Sequence, residues 1–454
     1  MSKANLQLGR REVLAGALGL AGAAFIAFGP RSTRDVPAGR KVVDYWEKWT
    51  QHEGRAMQEV VDLFNATQDK HFVRYMVTAG IDQKARIAIA GGLPPDLIGL
   101  WNYNVPEFAE TRAAYSLEEL GVGDRLPLER YARAVRPILT HPDSSGSDRM
   151  WAVPNTGGTL ALYYNKKLFR EAGLDPNQPP RTISELDAIS TRLDIIGGDG
   201  EIKRAGFMHI EPGWWSAIWG MQFGGSLYDA TGNRSLATSE AYLRAARWVQ
   251  EYSRKLGTDA SLRFKSGFAN EYSSPRNALL DGKVAMVVQG PWLANVINRF
   301  APDFEYGVAP MPVADELYDP TQPIGLVESD ILIIPRGAPN AEGALEFLLF
   351  TQRPEIIERL SIAHFKNTTL ATASEDFIVK HPNSGVRVFN AIADSPRGVL
   401  VPRTRAWPEC KDQMDGAAQR LWMCEESAES IMESVRVRSQ AAMDRVLEMN
   451  NRRA

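Results

Sequence analysis

Residues Ala278–Trp292 read ALLDGKVAMVVQGPW. The end of a helix runs into Gly282-Lys283, the apolar run Val284–Val288 follows, and Gly290-Pro291 closes it before an indole. A strand apolar at every position has both faces covered, as in sheets that carry helices on either side. Ile331–Ile334 is a second run of this kind.

Working outward, strand and helix patterns alternate. Lys41–Trp46 (KVVDYW) is β-type, and Val60, Val61 and Phe64 recur at helical spacing within Gly54–Asn65. Phe72–Val77 is a second strand, Gln83–Ala90 a helix, and Gly91-Gly92-Leu-Pro-Pro-Asp96 a loop feeding the strand Leu97–Leu100. Leu160–Tyr164 is a strand, and Lys166–Ala172 a helix stopped by Gly173. Thr182 with Glu185 forms a capping box for the next helix. Ser239–Lys255 and Pro339–Phe350 are helical, and from Pro408 onward the chain is almost all helix with a turn near Cys424–Ser427. Strands separated by helices predict an α/β fold with largely parallel sheets.

At 454 residues the chain exceeds one hydrophobic core and predicts two or three lobes. Hydrophobic residues at 44% and charged residues at 24% are those of a globular protein, which excludes a disordered, collagen-like or polytopic membrane chain. A net charge of −3 offers no basic field for nucleic acid. The first 38 residues hold five basic and two acidic residues, so the remainder carries −6. Lys3, Arg10 and Arg11 precede the uncharged stretch Val13–Phe28, too short and glycine-diluted for a spanning helix, and Val-Pro-Ala at 36–38 offers a cleavage site. Residues 1–38 thus read as an export signal. GRREVLAG resembles a twin-arginine signal, with Gly9 and Val13 replacing the usual serine and phenylalanine. An uncleaved N-terminal anchor is the alternative, and either places the body of the protein outside the cytoplasm. No cysteine lies here, which excludes a lipoprotein anchor.

Reaction signatures fail in turn. Gly282-Lys283 lacks the earlier glycine of a phosphate loop, and neither G-x-S-x-G nor H-E-x-x-H occurs. The 6 histidines are scattered, and Gly197-Gly198-Asp199-Gly200 lacks alternating calcium ligands and reads as a surface turn. No catalytic residue, cofactor or metal is expected. Cys410 and Cys424 are 14 residues apart, about 21 Å on a helix, and should be free thiols. The positive signal is the placement of tryptophans after strands: Trp46 and Trp49, Trp101, and Trp292, with Trp214, Trp215 and Trp219 clustered in EPGWWSAIWG. Ligand sites of open α/β sheets lie beyond the carboxyl ends of strands, and indoles suit the apolar face of a pyranose.

The chain resembles the carbohydrate-class solute-binding proteins of ABC importers, the maltose-binding-protein group. GGLPPDLIGLW (91–101), WAVPNTGGTLALYYNKKLFREAGLDP (151–176), ALLDGKVAMVVQGPW (278–292), YGVAPMPV (306–313) and GLVESDILIIPRGAPNAEGALEFLLF (325–350) carry the resemblance in order. It implies a two-lobed periplasmic-binding-protein fold, α/β, each lobe a mostly parallel sheet flanked by helices, joined by three hinge passages. These fall near Asn155–Thr159, Gly325–Glu328 and Ala363–Asn367. Lobe 1 would be 41–155 and 328–362, and lobe 2 160–324 and 366–454. The third passage reads AHFKNTTLA where relatives often have a Leu-Pro turn, which leaves Lys366 and Asn367 unplaced.

The resemblance puts Trp292 in the cleft as a stacking platform and Trp101 at a strand end, with Asn102 and Asn104 beside it for hydroxyls. Trp214 and Trp215 would supply the second lobe's aromatic, and Glu47, Trp49 and Gln51 polar and aromatic contacts after the first strand. Thr156 lies in the first passage, Glu328 faces the cleft from the second, and Trp407 would close the pocket with Arg405 near it. Relatives carry a glutamate where this chain has Gly158, so the ligand should differ from a maltodextrin, or Glu47 or Glu328 compensates. The implied partners are a mono- or oligosaccharide and the permease subunits of an ABC importer, with no nucleic acid, for a periplasmic monomer. Two alternatives stay open: a phosphorylated polyol clamped by Arg403 and Arg405, and a secreted glycoside hydrolase.

Overall fold

The computed structural model describes residues 36–143, 145–211, 213, 216–231, 233–269 and 271–452. The export-signal stretch up to Asp35, and Trp214 and Trp215, lie outside the described residues.

One sheet is built on Lys41–Glu47, which pairs in parallel with His71–Val77 and Leu97–Trp101. The helices Gln51–Thr67 and Ile81–Ala90 make the two crossovers. In the first, Met57, Val60, Val61 and Phe64 are buried, the helical-period stripe read from the sequence. Gly325–Ile333 lies antiparallel to Leu97–Trp101, Asp330 opposite Trp101, and antiparallel to Val153–Thr159, Glu328 opposite Gly158. This long pair carries two chain crossings toward the second sheet. Leu160 separates Val153–Thr159 from Ala161–Asn165, the second sheet's entering strand.

The second sheet runs in the order Tyr306–Ala309, Ala161–Asn165, Val284–Gln289, Ile202–Phe207, Ile195–Ile196. The α/β class and two-lobed architecture stand, but this sheet is mixed and not mostly parallel: only Val284–Gln289 against Ile202–Phe207 is a parallel pair. Ala161–Asn165 comes straight from the hinge and slots between two strands running the other way. Ile195–Ile196 joins Ile202–Phe207 through the exposed turn Gly197–Gly200, closed by the Gly197 N–H donating to Glu201 at 2.8 Å. All of Val284–Gln289 is buried, as its apolar run requires.

Three helices brace this lobe. Glu240–Leu256 packs against Trp407–Met423 and Ala428–Asn451. Cys424, in the left-handed region at φ 52°, turns the chain between the last two, and both cysteines are free thiols. Between these helices and the sheet lies an aromatic cage around His209: Trp248 at 4.2 Å, Tyr252 at 4.8 Å and Trp219 at 5.6 Å between ring centroids. Burial pushes the His209 imidazole down to about 3, so it is neutral. Among the described residues, no helix is long and apolar enough to cross a membrane.

Candidate functional site

Strand ends and helix starts from both sheets converge on a cleft of 1130 Å³. The carboxyl end of Lys41–Glu47 leads into Lys48 and Trp49, and Leu97–Trp101 ends in Trp101, Asn102 and Tyr103. Gly325–Ile333 contributes Glu328 and Asp330, alternate residues that share one face of the strand. Trp292 stands before the helix Leu293–Phe300. Trp407, Lys411 and Asp415 recur at fourfold spacing along Trp407–Met423, so one face of that helix forms a wall.

Trp292 is held by its neighbours. Its ring folds over Gly290 so closely that a Cβ there would lie 2.2 Å from the indole. Tyr272, which interacts with its indole, lines the cleft with it. Trp49 packs edge-on against His364 at 4.5 Å, and Trp101 stacks on Tyr103 at 5.8 Å.

Beneath the indoles lies an ionic floor. Lys48 Nζ reaches Asp330 Oδ1 at 3.0 Å, Glu47 Oε1 at 3.2 Å and the Leu100 carbonyl at 3.1 Å. Lys366 Nζ donates to Asp330 Oδ2 at 3.0 Å and pairs with Glu53 Oε1 at 3.1 Å. The Thr156 hydroxyl adds a bond to Asp330 Oδ2 at 2.8 Å. One carboxylate, two residues beyond the second expected hinge passage, therefore ties Thr156 of the first to Lys366 of the third. Burial alone would raise the Asp330 carboxyl, but the ammoniums of Lys366 and then Lys48 outweigh it and hold it far below the usual range. Burial would likewise lower Lys366, and Asp330 and Glu53 reverse that. The ammoniums also lie over ring faces: Lys48 at 5.1 Å from Trp49 and 5.2 Å from Trp101, Lys366 at 5.4 Å from Trp49.

Of the expected site residues, Trp49, Gln51, Trp101, Asn102, Trp292, Glu328 and Trp407 line the cleft. Glu47 does not: it is fully buried over Gly99, accepting from the Tyr45 hydroxyl at 2.6 Å and the Lys48 N–H at 2.8 Å, and it anchors the floor from below. Thr156 is also buried and spends its hydroxyl on Asp330. Asn104 is buried at the end of the short helix Asn102–Asn104 and does not line the cavity. Arg405 bonds Asn450 at 3.2 Å and lies 4.0 Å from Glu110, and Arg403 donates to the Thr140 carbonyl. Neither arginine reaches the cleft, so the expected anion clamp is not formed there.

Sequence reasoning missed Lys48, Glu53, Asp330, Tyr272 and Lys411, and left Lys366 unplaced. A signal existed for two of them: Asp330 interrupts the apolar run of GLVESDILI, and Lys48 sits between indoles in WEKW. A charge inside a buried strand must be paired or functional.

One cluster has metal-like spacing: ligand atoms of His71, Glu342 and Glu346 lie within 4.8 Å of one another. Its hydrogen bonds do not suit a cation. Asn340 accepts from the Gly343 N–H at 3.1 Å and aims its amide N–H groups at the Val42 carbonyl, 2.9 Å, and at His71 Nδ1, 3.3 Å. Nδ1 is then the acceptor, and the proton sits on Nε2, toward Glu346 at 3.7 Å, where a metal would need a lone pair.

With this fold and cleft, the chain belongs to the bacterial extracellular solute-binding protein family, whose model matches residues 48–356. It is 21% identical over 408 residues to the sn-glycerol-3-phosphate-binding periplasmic protein UgpB of Yersinia pestis, covering 86% of this chain and 90% of that one. Among solved structures it is similar to the binding protein CpMnBP1 with mannotriose bound, at TM-score 0.75 and 23% identity over 88% of this chain and 99% of that one. It is also similar to UgpB of Mycobacterium tuberculosis in complex with glycerophosphocholine, at TM-score 0.71 and 19% identity over 89% and 99%. At these identities the structures share the fold.

Proposed function

We propose that this protein captures a mono- or oligosaccharide between its lobes and delivers it to the permease subunits of an ABC importer. The observation that carries the reading is the cleft itself: Trp49, Trp101, Trp292 and Trp407 around one cavity of 1130 Å³. Small-molecule pockets span roughly 300–1,000 Å³, so this one has room for more than a single ring. Indoles take the apolar face of a sugar, while Gln51, Asn102, Asn295 and the ionic floor offer donors and acceptors for its hydroxyls. The lobes are taken as 41–155 with 328–362, and 160–324 with 366–454. Closure about the three passages would bring them into the shape a permease recognises. The chain works as a periplasmic monomer, exported through its twin-arginine-like leader, and carries out no catalysis.

Calorimetry across a panel of sugars and polyols tests this. Saturable binding of a sugar, little affected by salt, is the expected result. Binding of glycerol 3-phosphate or glycerophosphocholine instead, weakening steeply with salt, would replace it with the phosphorylated-polyol reading. That reading draws on the ligands of the UgpB relatives, and in this chain it would have to use Arg55 and Arg299, which line the cleft.

A further inference from the structure

Apart from the exposed Arg55 and Arg299, the carboxylates in and beneath the cleft outnumber its ammoniums. Glu47, Glu53, Asp330 and Glu328 lie in or directly beneath it, against Lys48 and Lys366. Both lysines are committed to Asp330 and to one glutamate each. Lys411 is held by Asp415, whose other oxygen accepts from the Ser216 hydroxyl at 2.5 Å. Glu328 is left over. Among the described residues its carboxyl has no hydrogen-bond or ion-pair partner, and its charged neighbours are Asp330 and Lys411.

Aromatic side chains line the same cavity. The Tyr103 phenol lies close enough to feel the Glu328 charge, and Trp101 stacks on Tyr103 at 5.8 Å with the rings 8° from parallel. Trp407 stands one helical turn from Lys411. The residue opposite Glu328 in the strand pair is Gly158, so no side chain fills the space beside it. A carboxylate in a cavity lined by aromatic rings, with Lys411 near it but committed to Asp415, can receive an ammonium group.

We propose that the captured sugar carries a protonated amine and that Glu328 is its counter-charge. This rests on the carbohydrate reading of the cleft and sharpens it to amino sugars. Burial, reinforced by Asp330 and opposed by Lys411, pushes the empty Glu328 carboxyl up to about 7. An arriving ammonium favours the ionised form, so binding should release a proton near neutral pH. Arg55 and Arg299 are exposed at the cleft and have no carboxylate partner among the described residues. They would favour the opposite ligand, a sugar acid, which the test includes.

The experiment is calorimetric titration of the full chain near neutral pH with a glucosamine disaccharide, its N-acetylated form, the parent neutral disaccharide and a uronic-acid disaccharide, in buffers of two ionisation heats. The amine-bearing sugar should bind about tenfold or more tighter than its N-acetylated form. It should release a proton, and Glu328→Gln should bring that ratio close to one. Equal or tighter binding of the neutral or acidic sugars would overturn the amine assignment and leave the carbohydrate reading intact. Binding of choline with no sugar bound would overturn the carbohydrate reading instead. No binding by any probe would overturn both.

Discussion

Asp330→Asn keeps the shape of the ionic floor and removes the charge on which it is centred. Lys48 would retain Glu47 at 3.2 Å and the Leu100 carbonyl at 3.1 Å, and Lys366 would retain Glu53 at 3.1 Å. Each ammonium loses a contact of 3.0 Å and stays buried. Removing one partner of a buried ion pair costs about 3–5 kcal/mol, and the surviving partners put this case at the lower end. About 3 kcal/mol corresponds to a fall of roughly 6–12 °C in the melting temperature of a cooperative unit of about 150–250 residues, the size of a single lobe. The assay is scanning calorimetry of unliganded protein, with Asp330→Asn/Lys366→Met as a second variant. Deleting Lys366 removes the ammonium left without its Asp330 partner, and Glu53, which is partly exposed, can meet water. The double variant should recover at least half of the loss. Because the Asp330 carboxyl titrates below its unfolded value, its contribution is fully present above about pH 4 and is lost only as acid protonates it. The deficit of the single variant should therefore be undiminished at neutral pH. Melting of Asp330→Asn within about 1 °C of wild type would refute the floor as a structural centre.

Trp292→Ala should weaken ligand binding by something like ten- to a hundredfold, with a smaller effect on unliganded melting than truncation of a fully buried indole such as Trp422; equal affinity in calorimetry would remove Trp292 from the site. Gly290→Ala places a Cβ 2.2 Å from that indole, so the ring must swing away. Ligand-induced fluorescence change and affinity should fall together, and a variant that binds normally would show that the ring's pose is irrelevant. His209, held neutral with its imidazole lowered to about 3 by burial, favours folding less as pH drops below the unfolded value, because only the unfolded chain takes up the proton. The penalty is about 2 kcal/mol at pH 5. His209→Leu should flatten the acid dependence of urea unfolding by about that amount, whereas parallel wild-type and variant curves would contradict it.

Strands were legible in the sequence wherever burial is complete, because a covered strand has little choice of residue. Val284–Val288 and Leu97–Leu100 fall within the observed Val284–Gln289 and Leu97–Trp101. The capping of Thr182 was legible too: its hydroxyl accepts from the Glu185 N–H at 3.3 Å. Glu185, however, turns its carboxylate to Arg181, so the reciprocal half of the box is made one residue earlier. Strand direction in the second sheet was not legible, since alternating strands and helices do not say which neighbour an entering hinge strand will meet. The indoles at strand ends could be read because their position in the chain is their position at the cleft rim. Glu47 and Thr156 were misjudged because residues next to a site in sequence lie either in its wall or behind it, and only the pleat decides. The floor was invisible for a different reason: Lys48, Asp330 and Lys366 come from three distant segments, and nothing in any one of them names the other two.

The wall formed by Trp407, Lys411 and Asp415 comes later in the chain than every other segment that lines the cleft. Domains emerging from the ribosome fold progressively from the amino end. Here the first-made strand brings Lys48 and Trp49 to the cleft, but the pocket cannot be enclosed until the segment from Trp407 has been synthesised and has docked against Glu240–Leu256. Nascent chains stalled before that point would carry most of the first sheet and most of the indoles, yet present an open trough. Capacity to hold solute is thus withheld until the segment from Trp407 has been made, and a proteolytic clip that releases Trp407–Met423 and Ala428–Asn451 would return the protein to that unfinished state.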